Sequence, residues 1–214
     1  MTDKGGRSME KIETERLLLR PWQKEDVPAC YELAKDPDVG PMCGWNPHKD
    51  MAETKRIVET VLMVPDTYAI VRQEDGALIG NIALRKMNGT HAEIGCWLGR
   101  PYWGHQYIEE AAQALIHYAV MDLGYETFIW HYYDGNHQSM RAAEKLGFHE
   151  DGTFEQKNPI LNRTLLVHRM EREIEWKQKT AWIEENASFS QQYQGYYGES
   201  DGTHTFDLLD DEEK

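Results

Sequence analysis

The chain has 214 residues, of which 40% are hydrophobic, and this length suits one medium-sized domain with short extensions. The formal net charge of −14 argues against nucleic acid as a partner, because binding phosphates needs clustered Lys and Arg. No apolar run approaches the roughly 18 residues of a membrane span, and "MTDKGGRSMEK" lacks the apolar centre of a secretion signal. We therefore expect a cytoplasmic protein without a membrane or nucleic-acid partner.

The first half of the chain carries strand and helix signals in turn. The apolar run in "TERLLLRPW" (14–22) predicts a strand, and helical spacing in "KEDVPACYELAKDP" (24–37) predicts a helix. A second helix is predicted from about Asp50 to Met63. Asp75-Gly76, between the apolar runs "TYAIVRQ" and "ALIGNIALRK", predicts a β-hairpin.

Residues 91–98, "HAEIGCWL", alternate as a strand does. One predicted face carries Ile94, Cys96 and Leu98, and the other carries Glu93, Gly95 and Trp97. With the hairpin before it, this segment makes three consecutive antiparallel strands.

The second half begins with the clearest helix of the chain, since apolar residues between 108 and 120 recur every three or four positions. "YETFIWHYY" predicts a buried strand, and "NHQSMRAAEKLG" predicts a helix that ends at Gly147. "HEDGTFEQ" and "RTLLVHRM" predict two closing strands. The fold class is therefore α+β, with a mixed, mostly antiparallel sheet of six to seven strands and helices on both faces.

Four regions are predicted along the chain: a flexible N-terminus (1–12), the main domain (13–172), a C-terminal helix (173–186) and a disordered tail (187–214). From about Met170 the pattern becomes that of a polar helix with a broken apolar stripe. More than half of the net negative charge lies in the acidic tail and the residues just before it.

Cysteine and histidine spacing gives no metal or disulfide signature. Cys30, Cys43 and Cys96 are scattered and form no C-x-x-C pair, which favours reduced thiols. His131 and His137 are close in sequence but have no third ligand nearby, so no metal is predicted.

Four motifs in this order, "TERLLLRPW", "AEIGCWL", "PYWGHQYIEEAAQALIHYAV" and "NHQSMRAAEKLGF", resemble the GNAT N-acetyltransferase superfamily. The resemblance is nearest to the branch of ribosomal-protein-alanine N-acetyltransferases (RimJ/RimL-like) and covers about residues 13–172. It implies a GNAT-like sheet and transfer of the acetyl group of acetyl-CoA to an amine.

The resemblance also implies where acetyl-CoA binds. The backbone of the strand would hold the pantetheine, and the following turn and helix N-terminus would hold the pyrophosphate, since first-turn amides have no intrahelical partner. The residues implied are Cys96, Trp97, Leu98, Trp103, Gly104, His105, Gln106, Tyr107 and Ile108. Trp97 and Trp103 are also candidates for the wall of the acceptor channel.

The turn departs from the family pattern, which is Gln or Arg, two residues, Gly, one residue, then Gly or Ala. Gly104 matches it, whereas Pro101 and Gln106 do not, and Ile108 stands where a small residue is usual. Gln106 either holds helical angles with its amide free for phosphate, or crowds the pyrophosphate. Gly104 itself is either part of the phosphate site or a turn glycine without a ligand.

Catalytic roles follow from the chemistry of aminolysis, which needs a proton acceptor for the amine and a proton donor for the thiolate. Glu93 resembles the general base of several family members; the alternative is a solvated strand residue. Asn136 and Ser139 match residues that contact the pantetheine and lie near the sulfur; the alternative is helix capping.

Other candidates are less specific. Arg141 and Lys145 share a helix face that could meet the 3′-phosphate of CoA, and Arg100 and His105 flank the turn; the alternative for all four is a solvated surface. The candidates for the substrate pocket are Trp45, Tyr68 and Tyr132.

The leading hypothesis is an acetyl-CoA-dependent N-acetyltransferase acting on a primary amine, either a protein N-terminus or a small cationic amine. Its expected partners are acetyl-CoA and the amine acceptor, and a homo-oligomer is left open. The alternative is a degenerate GNAT fold without catalysis that serves as an interaction or CoA-sensing module.

Overall fold

A computed structural model describes residues 11–175, 177–182 and 184. Within them the main domain is an eight-stranded sheet in the order β1-β2-β3-β4-β5-β6-β8-β7. The strands are β1 Ile12–Glu13, β2 Leu17–Pro21, β3 Thr67–Arg72, β4 Leu78–Lys86, β5 His91–Leu98, β6 Thr127–Tyr133, β7 His149–Asn158 and β8 Arg163–Glu173. All neighbouring strands are antiparallel except β5 and β6.

Four α-helices accompany the sheet: α1 Val27–Ala34, α2 Met51–Ile57, α3 Tyr107–Met121 and α4 His137–Lys145. A π-helical turn, Val58–Leu62, continues α2, and 3₁₀ turns span Lys24–Asp26, Gly40–Cys43 and Arg100–Tyr102. The predicted α+β class and mixed sheet are confirmed.

The seven predicted strands are all present, and β1 is an eighth. Its two residues pair with β2 (Ile12 with Leu19, Glu13 with Leu18), and so short a segment has no periodicity to detect. At the other end β8 runs to Glu173, which pairs with Thr127. The helical pattern read from Met170 was therefore wrong for residues 170–173, which the neighbouring strand holds in the sheet.

Helices cover both faces of the sheet, as the alternation of β2 shows. Leu18 packs with Val27 and Cys30 of α1 in a buried cluster that also takes in Ala69 of β3. Leu17 and Leu19 point to the opposite face and are fully buried there, on a strand that also contacts α3.

The chain divides into two compact units at residues 175 and 176. In the second unit, residues 177–182 and 184 are helical, and they fall within the predicted C-terminal helix. The predicted flexible N-terminus, apart from its last two residues, and the predicted acidic tail lie outside the described residues. Among the described helices, none combines the length and the apolar character needed to cross a membrane.

Candidate functional site

The parallel pair β5–β6 opens part of the way along. The two strands pair from His91 with Thr127 to Ile94 with Trp130. β5 then continues to Leu98 along β4, but its pairing with β6 has ended. The backbone groups of residues 95–97 that face β6 are therefore available to a ligand, whereas the Leu98 carbonyl is taken by the Trp103 indole.

A cavity of about 610 Å³ lies at this opening. The end of β5, the N-terminal ends of α3 and α4, and the 3₁₀ turn at Gly40–Cys43 surround it. All the predicted cofactor-binding residues line it except His105. The sequence did not point to the other lining residues, namely Val39, Met42, Cys43, Tyr102, Glu109, Trp130, Gly135, His137, Gln138 and Ala142.

The turn into α3 is left-handed at two positions. Gly104 has φ of 79°, and a Cβ added there would meet no atom within 4 Å. Gln106 is the N-cap of α3 with φ of 61° and ψ of 21°. Gln106 therefore does not hold the helical angles expected in the first alternative; its backbone has the left-handed conformation that glycine adopts without strain. The first-turn amides of the 15-residue helix α3 remain without intrahelical partners.

Arg16 and Glu110 hold this turn from outside the cavity. The Arg16 Nε lies 2.6 Å from Glu110 Oε2, and the backbone N–H of Arg16 donates to Oε1 at 2.9 Å. An Arg16 Nη donates to the carbonyl of His105 at 3.1 Å. His105 thus contributes its backbone to the turn. Burial raises the pKa of Glu110, but hydrogen bonds from Thr14 and Arg16 outweigh it and lower the pKa overall.

Replacing Gln106 with glycine should stabilise the protein. A residue with a Cβ in the left-handed conformation costs about 1–2 kcal/mol, whereas the greater freedom of glycine in the unfolded chain costs only about 0.5–1 kcal/mol. Gln106→Ala is the matched control, since it shortens the side chain but keeps the strain. We expect the free energy of unfolding, measured in urea, to be about 1 kcal/mol higher for the glycine variant than for the alanine variant. Equal stability of the two would contradict the strain.

Pro101, another departure from the family pattern, is also accommodated. Pro101 is the first position after Arg100 in a 3₁₀ turn, where a missing N–H is tolerated. Arg100 lies outside the cavity lining and forms an ion pair with Asp38 at 2.5 Å. The Trp103 indole donates to the Leu98 carbonyl at 2.9 Å, which fixes its ring in the cavity wall.

Asn136 and Ser139 combine capping with a place in the cavity. The Asn136 Oδ1 accepts from the Ser139 backbone N–H at 3.1 Å, and its Nδ2 donates to the Met42 carbonyl at 3.2 Å. The Trp130 indole donates to Ser139 Oγ at 2.8 Å. Because an indole only donates, the Ser139 hydroxyl keeps its own proton for another acceptor.

Two predicted cations, Arg141 and Lys145, line the cavity on α4. Lys145 Nζ lies 3.2 Å from Glu109 Oε1, and its side chain is 55% exposed. The positive charge of Lys145 therefore offsets the negative charge of the Glu109 carboxylate, which also lines the cavity.

Glu93 lies on the face of β5 that also carries Trp97, opposite Cys96, and it does not line the cavity. Its Oε1 is 3.3 Å from His131 Nδ1 and 4.0 Å from an Arg85 guanidinium nitrogen. The hydrogen bond with His131 lowers the pKa of Glu93 despite partial burial. Glu93 is therefore an ionised carboxylate at the point where β5 and β6 begin to diverge.

The structure places the three candidates for the substrate pocket in different surroundings. Trp45 packs edge-on against Trp97, with ring centroids 5.8 Å apart. Tyr68 is fully buried, and by alternation along β3 it faces away from Trp97. Tyr132 is 6% exposed and donates to Glu150 at 2.6 Å on the face opposite Glu93. Tyr68 and Tyr132 are thus packing residues, because strand alternation turns both from the Glu93 face.

Tyr133, which the sequence did not assign to the site, shares a face with His131. A Cβ added at Gly44 would lie 2.5 Å from its hydroxyl, so the loop after α1 covers this tyrosine closely. Among residues 11–175, 177–182 and 184, there is no group of three or more His, Cys, Asp or Glu side chains suited to a metal ion.

A mixed sheet that opens beside a helix N-terminus, with a cavity between them, defines the acetyltransferase fold of the GNAT type. The acetyltransferase (GNAT) domain family matches residues 16–149, so the chain belongs to this family and is an acyltransferase.

Relatives and solved structures agree with this family. The uncharacterized N-acetyltransferase YnaD of Bacillus subtilis is 30% identical over 69% of this chain and 88% of its own. A GNAT-family acetyltransferase structure from Bacillus anthracis has a TM-score of 0.70 at 25% identity, covering 77% of this chain and 98% of that one. An acetyltransferase structure from Salmonella typhimurium, described as modifying the N-terminal serine of ribosomal protein L7/L12, has a TM-score of 0.66 at 21% identity, covering 78% and 100%.

Proposed function

We propose that this acetyltransferase moves the acetyl group of acetyl-CoA to a primary amine, either a protein N-terminus or a small cationic amine. The observation that carries the proposal is the cavity at the β5–β6 opening, where a serine hydroxyl and a helix N-terminus face the same space.

Acetyl-CoA fits the residues that line this cavity. The backbone groups of residues 95–97 that no longer pair with β6 would hold the pantetheine, and the first turn of α3 would hold the pyrophosphate. Arg141 would meet the 3′-phosphate, as would Lys145 if it gave up its ion pair with Glu109. Ser139 would lie near the sulfur.

Two side chains then account for the proton transfers. Glu93 would support removal of a proton from the incoming ammonium, directly or through a neighbouring group, on the face of the sheet that carries Trp97. Ser139 would donate its hydroxyl proton to the leaving thiolate, because its oxygen already accepts from Trp130.

Two observations bear on the acceptor. The ionised Glu93 favours a cationic amine. The likeness to the Salmonella structure, together with the motifs shared with the RimJ/RimL-like branch, supports a protein N-terminus as one acceptor class. The non-catalytic alternative is not favoured, because the cavity is present although Pro101 and Gln106 depart from the family pattern.

The test is acetylation of a defined amine set: peptides with free alanine or serine N-termini, and spermidine. The protein is incubated with acetyl-CoA and each amine, and the products are read by mass spectrometry. The same peptides with blocked N-termini are the matched control. Acetylated product from a free amine supports the proposal, whereas CoA binding without product from any amine would favour the non-catalytic alternative.

A further inference from the structure

We propose that His131 is the group that takes the proton from the amine, and that Glu93 is a positioning residue that holds the His131 imidazole. This inference rests on the proposed function. It assigns a role to a side chain that neither the sequence motifs nor the comparisons place in the site.

His131 lies where the strand pair opens. Pairing between β5 and β6 ends at Ile94 and Trp130, so His131 is the first residue of β6 beyond the last paired position. Alternation puts its side chain on the face opposite Trp130, which contacts Ser139 from the other side. His131 and Ser139 therefore flank the opening of the strand pair from its two faces, as an acceptor and a donor on either side of a reacting thioester would.

The contact with Glu93 fixes the orientation of the His131 imidazole. An ionised carboxylate can only accept, so the imidazole nitrogen that faces it, Nδ1, must carry the proton. Neutral imidazole then has Nε2 as its unprotonated nitrogen. Within the described part of the chain, Nε2 of His131 takes part in no hydrogen bond. The pair thus has the orientation of a histidine base held by a carboxylate.

Glu93 and His131 differ as bases. Glu93 has a lowered pKa, and a carboxylate that holds its charge so firmly takes up a proton poorly near neutral pH. Imidazole is the side chain whose titration lies nearest neutral pH. Both side chains are about a quarter exposed, 25% for His131 and 24% for Glu93, so each can be reached without being fully solvated.

The surroundings of His131 leave it room to exchange a proton. Phe154 of β7 meets its ring edge-on, with centroids 5.6 Å apart. Arg169 of β8 is its cross-strand partner and is engaged by Asp151 and Glu171. Arg85 of β4 lies 4.0 Å from the Glu93 carboxylate. The arginine charges are thus offset by carboxylates, and no other cation is placed against the imidazole in the described residues.

The reaction then balances. His131 Nε2 takes one proton from the ammonium, and the free amine attacks the thioester carbonyl carbon as the new N–C bond forms. The C–S bond breaks as Ser139 gives its hydroxyl proton to the sulfur, and the second proton lost by nitrogen restores the Ser139 hydroxyl, giving the amide and the free CoA thiol. His131 returns its proton to solvent.

The first experiment needs no acceptor. Protein labelled with ¹⁵N-histidine is compared with His131→Gln, which assigns the His131 signals among the nine histidines. The proposal predicts the Nδ1–H tautomer in the neutral form of the wild type, with loss of that preference in Glu93→Gln. An Nε2–H tautomer in the wild type would overturn it, whether or not an acceptor has been found.

The second experiment follows CoA thiol release with the free-N-terminal peptides across pH. His131→Gln and Glu93→Gln should each lower kcat about a hundredfold near neutral pH, the double variant should lose little more, and the KM for acetyl-CoA should stay within about twofold. His131→Gln should also remove the acid limb of the rate profile, and Glu93→Asp should recover part of the rate.

The matched control is His168→Gln. His168 forms a similar pair with Asp134, at 3.1 Å, but on the opposite face of the sheet, stacked on Tyr132. It should keep the wild-type rate and pH profile. An unchanged rate and profile in His131→Gln would overturn the inference. If the wild type acetylates none of the amines, the proposed function fails and the role of His131 in proton transfer fails with it, whereas the tautomer measurement still decides whether Glu93 holds the imidazole.

Discussion

Gly104→Asp should weaken acetyl-CoA binding at least a hundredfold. The added carboxylate would lie beside the pyrophosphate at the start of α3, where two like charges about 4 Å apart repel by several kcal/mol in a partly shielded site. A hundredfold loss corresponds to about 2.7 kcal/mol. Titration calorimetry with acetyl-CoA measures it directly.

Gly104→Asn is the matched control for this variant. Asn has nearly the same size as Asp, and both tolerate the left-handed conformation at φ of 79°. An added Cβ has free space at this position, so both variants should fold. The neutral variant should bind acetyl-CoA far better than the charged one. Equal affinities for Asn and Asp would show that no phosphate lies near Gly104.

Ser139→Ala should lower kcat about a hundredfold while leaving the affinity for acetyl-CoA close to that of the wild type. The hydroxyl is oriented by the Trp130 indole, which occupies its oxygen and leaves its proton to donate. Steady-state kinetics with a free-amine peptide give kcat, and calorimetry gives the affinity. A variant that kept its kcat would remove Ser139 from the mechanism.

Loss of the hydroxyl should also cost stability, because the indole N–H of Trp130, a residue 1% exposed, loses its partner. We expect the free energy of unfolding to fall by about 1–3 kcal/mol. In a Trp130→Phe background the donor is absent, so adding Ser139→Ala should then cost little stability and the same factor in rate. This comparison separates the chemical role of the hydroxyl from its structural one.

The order of elements could be predicted because each signal is local. The apolar spacing of α3 needs no information beyond its own 15 residues, and the Asp75-Gly76 hairpin has its glycine at φ of 71°. Asn136 likewise caps the helix that follows it. β1 could not be predicted because two residues are too few to show a periodic pattern. Residues 170–173 were predicted as helix because the strand with which they pair lies elsewhere in the chain.

The candidate site also contains parts that follow from local sequence and parts that depend on tertiary contacts. The turn before α3 could be proposed as a pyrophosphate site from the sequence because its residues are contiguous, whereas Met42 and Cys43 reach the cavity only through tertiary contacts such as the Asn136 bond to Met42. The faces of Tyr68 and Tyr132 and the approach of His131 to Glu93 depend on strand register, which a single sequence does not reveal.

The central claim is that acetyl-CoA binds in the cavity between β5, α3 and α4. Thermal unfolding with and without millimolar acetyl-CoA tests it most directly, with Gly104→Asp run alongside. At about a hundred times its dissociation constant the ligand should stabilise the wild type by roughly 2.7 kcal/mol, a midpoint shift of a few degrees. The account predicts a saturable shift in the wild type and little or none in the variant. No shift in a folded wild-type protein, or an equal shift in both, would contradict it.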